Sequence, residues 1–132
     1  MKIFYCSDGK PADQSRGFIR SVNFVDKRNV LVGVELAGPC VDAGWYFLDE
    51  SGSRLNDFDV EEFYFVGIKD VRVEDGGRDK YHSRRYRFRV RFPIKSASGK
   101  RATLVLENCH NGYYTYGIFL KKGNDAFRKI TI

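Results

Sequence analysis

A chain of 132 residues that is 42% hydrophobic and 15% aromatic is long enough to bury one core and too apolar to stay disordered. Its net charge of +6 and pI near 9.3 exclude an acidic solvating chain and point to nucleic acid, an anionic surface or an acidic protein as partner. Cys6, Cys40 and Cys109 are odd in number and lack Cys-x-x-Cys spacing, so neither a disulfide framework nor a zinc knuckle is indicated and they read as reduced thiols, with a metal site from Cys109, His110 and Cys40 or Cys6 as a minor alternative.

The start, Met1 to Asp8, has no basic leader followed by a long apolar core, and no apolar run reaches the length of a membrane span. The expectation is a soluble, cytoplasmic protein without membrane contact. Lys2 to Cys6 reads as a first strand, closed by the turn-forming Ser7-Asp8-Gly9-Lys10-Pro11 cluster. Gly17 to Val25 and Val30 to Leu36 are apolar-rich strands around Asp26-Lys27-Arg28-Asn29, a hairpin turn. Val30, Val32, Val34 and Leu36 share one face of the second, and Gly33 on the other marks a close approach or a bulge. Trp45 to Leu48 is a core strand ended by the turn Asp49 to Ser53. Leu55, Phe58 and Glu62 have the spacing of a single helical turn, before Phe63-Tyr64-Phe65-Val66 returns to strand composition. Ile68 to Glu74 alternates as a strand, with Asp75-Gly76-Gly77-Arg78 as the loop after it.

Arg84 to Phe92 is the most informative stretch. On a strand it puts Tyr86, Phe88, Val90 and Phe92 on one face and Arg85, Arg87, Arg89 and Arg91 on the other. On a helix the same residues leave no apolar stripe, so a half-buried strand with an arginine ladder is the reading. Pro93 to Lys100 follows as a loop and Arg101 to Glu107 as a strand with Ala102, Leu104 and Leu106 on its apolar face. Asn111-Gly112 has the residues of a type I′ turn, which would pair His110 with Tyr113, Cys109 with Tyr114, Glu107 with Tyr116 and Val105 with Ile118. After the turn Lys121 to Asp125, Phe127 to Ile132 is the last strand. About nine short strands with little or no helix predict an all-β, single-domain antiparallel β-sandwich or partly open barrel over residues 1–132.

Val41 to Glu62 carries seven acidic residues against Arg54, whereas Arg78 to Arg101 carries ten basic residues against Asp79. The bland expectation is that the two segments neutralise each other across the fold and that Asp70 and Glu74 cover part of the ladder. The functional expectation is a binding face that runs from Arg85, Arg87, Arg89 and Arg91 through Arg101 and Thr103 to Tyr114 and Tyr116. Arginines spaced roughly 6.8 Å apart on one strand face suit phosphate or carboxylate, and tyrosine rings suit bases or a protein hot spot. Chemistry is poorly represented. His82 and His110 stand in no catalytic or metal motif, Asp57, Asp59, Glu61 and Glu62 lack a calcium-loop pattern, and Gly76-Gly77 has no phosphate-loop context. No catalytic residue, metal or cofactor is expected.

Residues 88–120, with Lys100-Arg101-Ala102-Thr103-Leu104 leading through Glu107-Asn108-Cys109-His110 into Asn111-Gly112-Tyr113-Tyr114, resemble the C-terminal hairpin of a loosely defined group of small phage-type proteins. Cys109-His110 departs from that group's acidic-Ser lead-in. The resemblance implies an origin in a phage or mobile element and no particular activity. The expectation that follows is a non-enzymatic, anti-CRISPR-type or other counter-defence inhibitor, acting in the host cytoplasm by docking on a host protein or ribonucleoprotein complex. Direct binding of an RNA or DNA backbone and a self-assembling virion subunit are the alternatives, and a small nuclease relying on His82 or His110 is the remaining class.

Overall fold

Val22 and Phe24, Val30, Val32 and Val34, and Ile118 and Leu120 recur at every second position, so three strands each present one apolar face. The computed structural model, which describes residues 1–7, 10–11, 21–35, 42–78, 85–110 and 117–132, assembles these faces into a sandwich of two antiparallel sheets. Strands β1 (Lys2–Ser7), β2 (Lys10–Pro11), β3 (Ser21–Val25) and β4 (Val30–Glu35) come first. They are followed by β5 (Asp42–Asp49), β6 (Arg54–Leu55), β7 (Phe63–Phe65) and β8 (Val73–Arg78). The chain continues through β9 (Tyr86–Ser96), β10 (Arg101–His110), β11 (Gly117–Lys122) and β12 (Asp125–Thr131). Sheet A has the order β12-β11-β4-β3-β1-β2; sheet B has the order β6-β5-β10-β9-β7, with β8 also paired to β9.

The inner faces meet in one core. Phe24 of sheet A is fully buried, and its ring lies edge-on to Trp45 at 6.0 Å and to Phe47 at 6.1 Å on sheet B. Val90, Phe92 and Leu104 are also fully buried, and Phe65 stands edge-on to Phe92 at 6.2 Å. Two polar clasps join the sheets. The β3–β4 turn carries buried Asp26, whose Oδ1 accepts from the Arg28 and Val30 amides and whose Oδ2 accepts from the Phe65 amide at 2.8 Å. Arg128 of β12 donates from Nη1 to the carbonyls of Lys69 and Val71, at 3.0 and 2.8 Å. At the same end as Asp26, the Met1 amino group donates to the carbonyls of Val60, at 3.0 Å, and Glu61.

Several expected elements stand as read. The 26–29 turn joins β3 to β4, with Asn29 at φ 60°, and the helical turn is a 3-10 turn at Asp57–Val60. Gly33 marks a close approach, since a Cβ there would lie 2.6 Å from Asn23 Oδ1.

Other expectations need correction. Ile68 to Glu74 is not one strand: Ile68–Asp70 forms a 3-10 turn, and β8 begins at Val73 and runs through Asp75-Gly76-Gly77-Arg78, the expected loop. The glycines are used inside the strand, where the register slips between Asp75 and Arg78 and Gly77 takes φ 79°. The Pro93 loop is likewise strand, since β9 continues to Ser96 and only residues 97–100 turn. Pro93 is tolerated because β8 pairs with β9 up to Val90 and β7 begins to pair only at Ile94, so the missing N–H falls in a gap of that edge. Its carbonyl accepts from the Val66 amide at 3.0 Å.

The expected pairing of Val105 with Ile118 is also overturned. β10 lies between β5 and β9 in sheet B, with Val105 opposite Tyr46 and Arg91, whereas Ile118 lies in sheet A opposite Val34 and Ile130. Both edges of β10 are taken, so β11 has no place beside it. The Asn111-Gly112 turn and the ring positions of Tyr113 to Tyr116 lie outside the described residues. Among the described residues no helix is long and apolar enough to cross a membrane.

Candidate functional site: the outer face of sheet B

Every second residue of β9 and β10 points away from the core, and the register decides which of them become neighbours. Arg101 lies opposite Lys95, Thr103 opposite Pro93, Val105 opposite Arg91, Glu107 opposite Arg89 and Cys109 opposite Arg87. On the far side of β10, Val105 faces Tyr46 and Thr103 faces Leu48, which in turn faces Arg54 of β6. The arginine ladder is therefore outward-facing, as its alternation requires, while Val90, Phe92 and Ile94 between its members are buried. Arg85 precedes β9 and is half-buried. Tyr114 and Tyr116, the expected far end of the face, lie outside the described residues, as does His82.

Two carboxylates are built into the ladder. Glu107 sits 3.8 Å from Arg87 Nη1 and 3.6 Å from Arg89 Nη2, and it accepts a 2.7 Å hydrogen bond from the Tyr46 hydroxyl. Burial, followed by that hydrogen bond and the charge of Glu107, holds the Tyr46 hydroxyl above the usual tyrosine range. Glu74 of β8 lies 3.1 Å from Arg91 Nε. Thus Arg89 and Arg91 meet Glu107 and Glu74 rather than the acidic 41–62 segment. In that segment, Asp49 is occupied by Ser51 and Ser53, and Glu62 by Lys27 at 2.7 Å. The expected neutralisation by Asp70 is corrected too: Asp70 ends the 3-10 turn before β8 and is exposed, and the paired carboxylate is Glu74.

Further cations flank these pairs. Arg54 stacks on the Tyr46 ring with Cζ 3.6 Å from its centroid, and Arg28 stacks on the Tyr64 ring at 3.9 Å. Tyr64 lies opposite Lys95, and Lys95 opposite Arg101. None of Arg28, Arg54, Lys95 and Arg101 has a carboxylate partner among the described residues. Arg28, Tyr64, Lys95 and Arg101 thus line up beside the 97–100 turn, and the Arg54–Tyr46 stack adjoins Glu107 and the ladder. A guanidinium stacked on an aromatic ring keeps its in-plane N–H groups for carboxylates and its outer plane for a second flat group.

Sequence reading found Arg87, Arg89, Arg91 and Arg101 but missed Arg28, Arg54, Tyr46 and Tyr64. Tyr46 was absorbed into the apolar run Trp45 to Leu48, although alternation about the buried Phe47 would have turned it outward. Arg28 stands in a hairpin turn of the other sheet, and only tertiary contact brings it here.

Cys109 and His110 are successive residues of β10, so their side chains leave opposite faces and cannot share an ion. Among the described residues no group of three His, Cys, Asp or Glu is placed to hold a metal. His110 is buried with its ring 5.1 Å from that of Phe88, and burial lowers its pKa from 6.5. Between that depressed value and 6.5 the unfolded chain binds the proton and the folded chain does not, so stability falls as pH drops through this window. Urea unfolding should give a steeper loss from pH 7 to pH 5 in the wild type than in His110→Gln. Equal slopes would remove His110 from the acid limb. No protein-family model, curated protein or solved structure matches the chain.

Proposed function

We propose that the protein is a non-enzymatic binding protein that docks through the outer face of sheet B on an acidic, aromatic-containing protein surface of a host nucleic-acid-handling complex, which it inhibits by occlusion. The observation that carries the reading is the pair of arginine–tyrosine stacks, Arg28 on Tyr64 next to Lys95 and Arg101, which have no carboxylate partner among the described residues, and Arg54 on Tyr46 farther along the face. Arginine and tyrosine dominate protein hot spots because they combine flat contact area with directed hydrogen bonds. Glu74 and Glu107, set among the arginines, favour a protein partner over a bare phosphate backbone, since a carboxylate opposes phosphate but can meet a basic residue of a protein. The counter-defence role, and a phage or mobile-element origin, are the specific form of this reading suggested by the resemblance at residues 88–120.

The test is capture from host lysate by the tagged protein, with and without nuclease and at two salt concentrations, against the double variant Lys95→Glu/Arg101→Glu. Both side chains lie on the outer face and have no carboxylate partner among the described residues, so the variant should fold. The expected result is a discrete protein partner that survives nuclease and is lost with the variant. Capture that vanishes with nuclease and falls steeply with salt would overturn this reading in favour of direct backbone binding. Capture unaffected by the variant would show that another surface docks.

A further inference from the structure

Sheet A has an outer face of its own, and its register lines up Phe4, Asn23, Gly33, Phe119 and Lys129 in one row across β1, β3, β4, β11 and β12. Glycine at the centre of the row lets the Asn23 side chain lie across it, with Oδ1 2.6 Å and Leu31 Cδ2 3.2 Å from where a Cβ would stand. A hollow of about 430 Å³ lies there, bordered by Ser21, Asn23, Leu31, Phe119 and Lys121 with Gly33 in its lining. A second glycine shapes the aromatic wall. A Cβ on Gly117 would come within 3.3 Å of Phe119 Cε2 and Cζ and of Lys129 Cε, so the ring lies down along the strand over Gly117. Lys129 Nζ stands 5.2 Å from the centroid of that ring.

Three features of this face point to one ligand chemistry. First, Phe4 is 49% exposed on the same row as Phe119. Three inter-strand steps of about 4.8 Å separate the two rings by roughly 14 Å. Second, the Ser21 hydroxyl, the Asn23 carboxamide and the Lys121 ammonium border the hollow without hydrogen-bond or ion-pair partners among the described residues. Third, Lys2, Lys121 and Lys129 bring three ammonium groups to the face, against which the register sets Glu35 opposite Ser21. The exposed ring of Phe4 and the half-buried ring of Phe119 offer stacking, a carboxamide and a hydroxyl match the edge of a heterocycle, and ammonium groups meet phosphate.

We propose that the outer face of sheet A binds single-stranded nucleic acid running across the strands. One base stacks on Phe4 and another on Phe119, the base between them sits in the hollow against Asn23 and Gly33, and the phosphates meet Lys2, Lys121 and Lys129. This site is separate from the protein-docking face of sheet B, and each stands or falls alone. Together they would let one molecule hold a protein component and a strand of the same complex.

Anisotropy of fluorescein-labelled oligothymidine and oligouridine, titrated with the purified protein at two salt concentrations, tests it. Saturable binding that weakens with salt is expected, with a loss of about tenfold or more in Phe4→Ala and in Phe119→Leu and a change within about twofold in Lys95→Glu/Arg101→Glu. Phe4 is exposed, so its variant reports on binding even if Phe119→Leu perturbs the sheet. Absence of binding by the wild type would overturn the proposal. So would binding that both phenylalanine variants retain, or binding lost only with the sheet B variant.

Discussion

Asp26→Ala is expected to lower the free energy of unfolding by roughly 3–5 kcal/mol, a large effect for a residue in a hairpin turn. The carboxylate is 6% exposed and accepts from three backbone amides, at 2.8 Å from Arg28, 3.0 Å from Val30 and 2.8 Å from Phe65. Alanine leaves the buried Val30 and Phe65 amides without that acceptor, and an unmet buried donor costs more than the net worth of the bond it made. Asp26→Asn keeps one oxygen and should fall between wild type and alanine. The consequence reaches the docking face, because the turn that Asp26 ties to β7 is the turn that lays Arg28 on Tyr64. Urea unfolding of the three proteins, with partner capture by Asp26→Asn, measures both effects. A loss below about 1 kcal/mol in Asp26→Ala would show that water replaces the carboxylate and that the clasp is not structural.

That residue also shows how far the sequence is legible. Asp-Lys-Arg-Asn between two β-branched runs announces a turn, and Asn29 supplies the positive φ that closes it. The bond from the Phe65 amide spans 39 positions, and no local pattern encodes it. The same division runs through the chain. Alternation placed Val30, Val32 and Val34, Phe92, and Leu104 and Leu106 in the core, because a period of two is a property of neighbours along one strand. Pairing between strands was legible only where charge or turn chemistry named the partner, as for β8 beside β9.

The misreadings have physical causes of the same kind. Val105 does not meet Ile118 because β10 is flanked by β5 and β9, and pairing on both of its edges leaves β11 to the other sheet. Pro93 and Gly76-Gly77 carry breaker chemistry, yet both sit within strands, at an interruption of the edge and at a register slip. At the candidate site, composition revealed a surplus of arginine but not its distribution. Glu107 and Glu74 take the middle of the ladder, and further cations flank it where Arg28 and Arg54 arrive from turns and short strands distant in sequence.

Phe24→Ala should cost about 3–5 kcal/mol, the range for removing a fully buried aromatic ring when the cavity cannot collapse. Collapse is difficult here because the ring bridges the two sheets, edge-on to Trp45 at 6.0 Å and to Phe47 at 6.1 Å. Backbone ladders on both sides fix the sheet separation, so the vacated volume cannot be closed by moving one side chain. Phe24→Leu refills most of that volume and should cost much less, about 1 kcal/mol. Trp45 is the only tryptophan, which makes its emission a local reporter of this contact. A red shift under native conditions in Phe24→Ala, absent in Phe24→Leu, is the expected signature, with urea midpoints giving the energies. A midpoint near wild type and an unchanged spectrum in Phe24→Ala would mean that the sheets do not meet at Phe24, and the facing of both outer surfaces would have to be reassigned. The basic face and the aromatic face are outward only because Phe24, Trp45 and Phe47 are inward, so this core contact also tests the placement of the two binding surfaces.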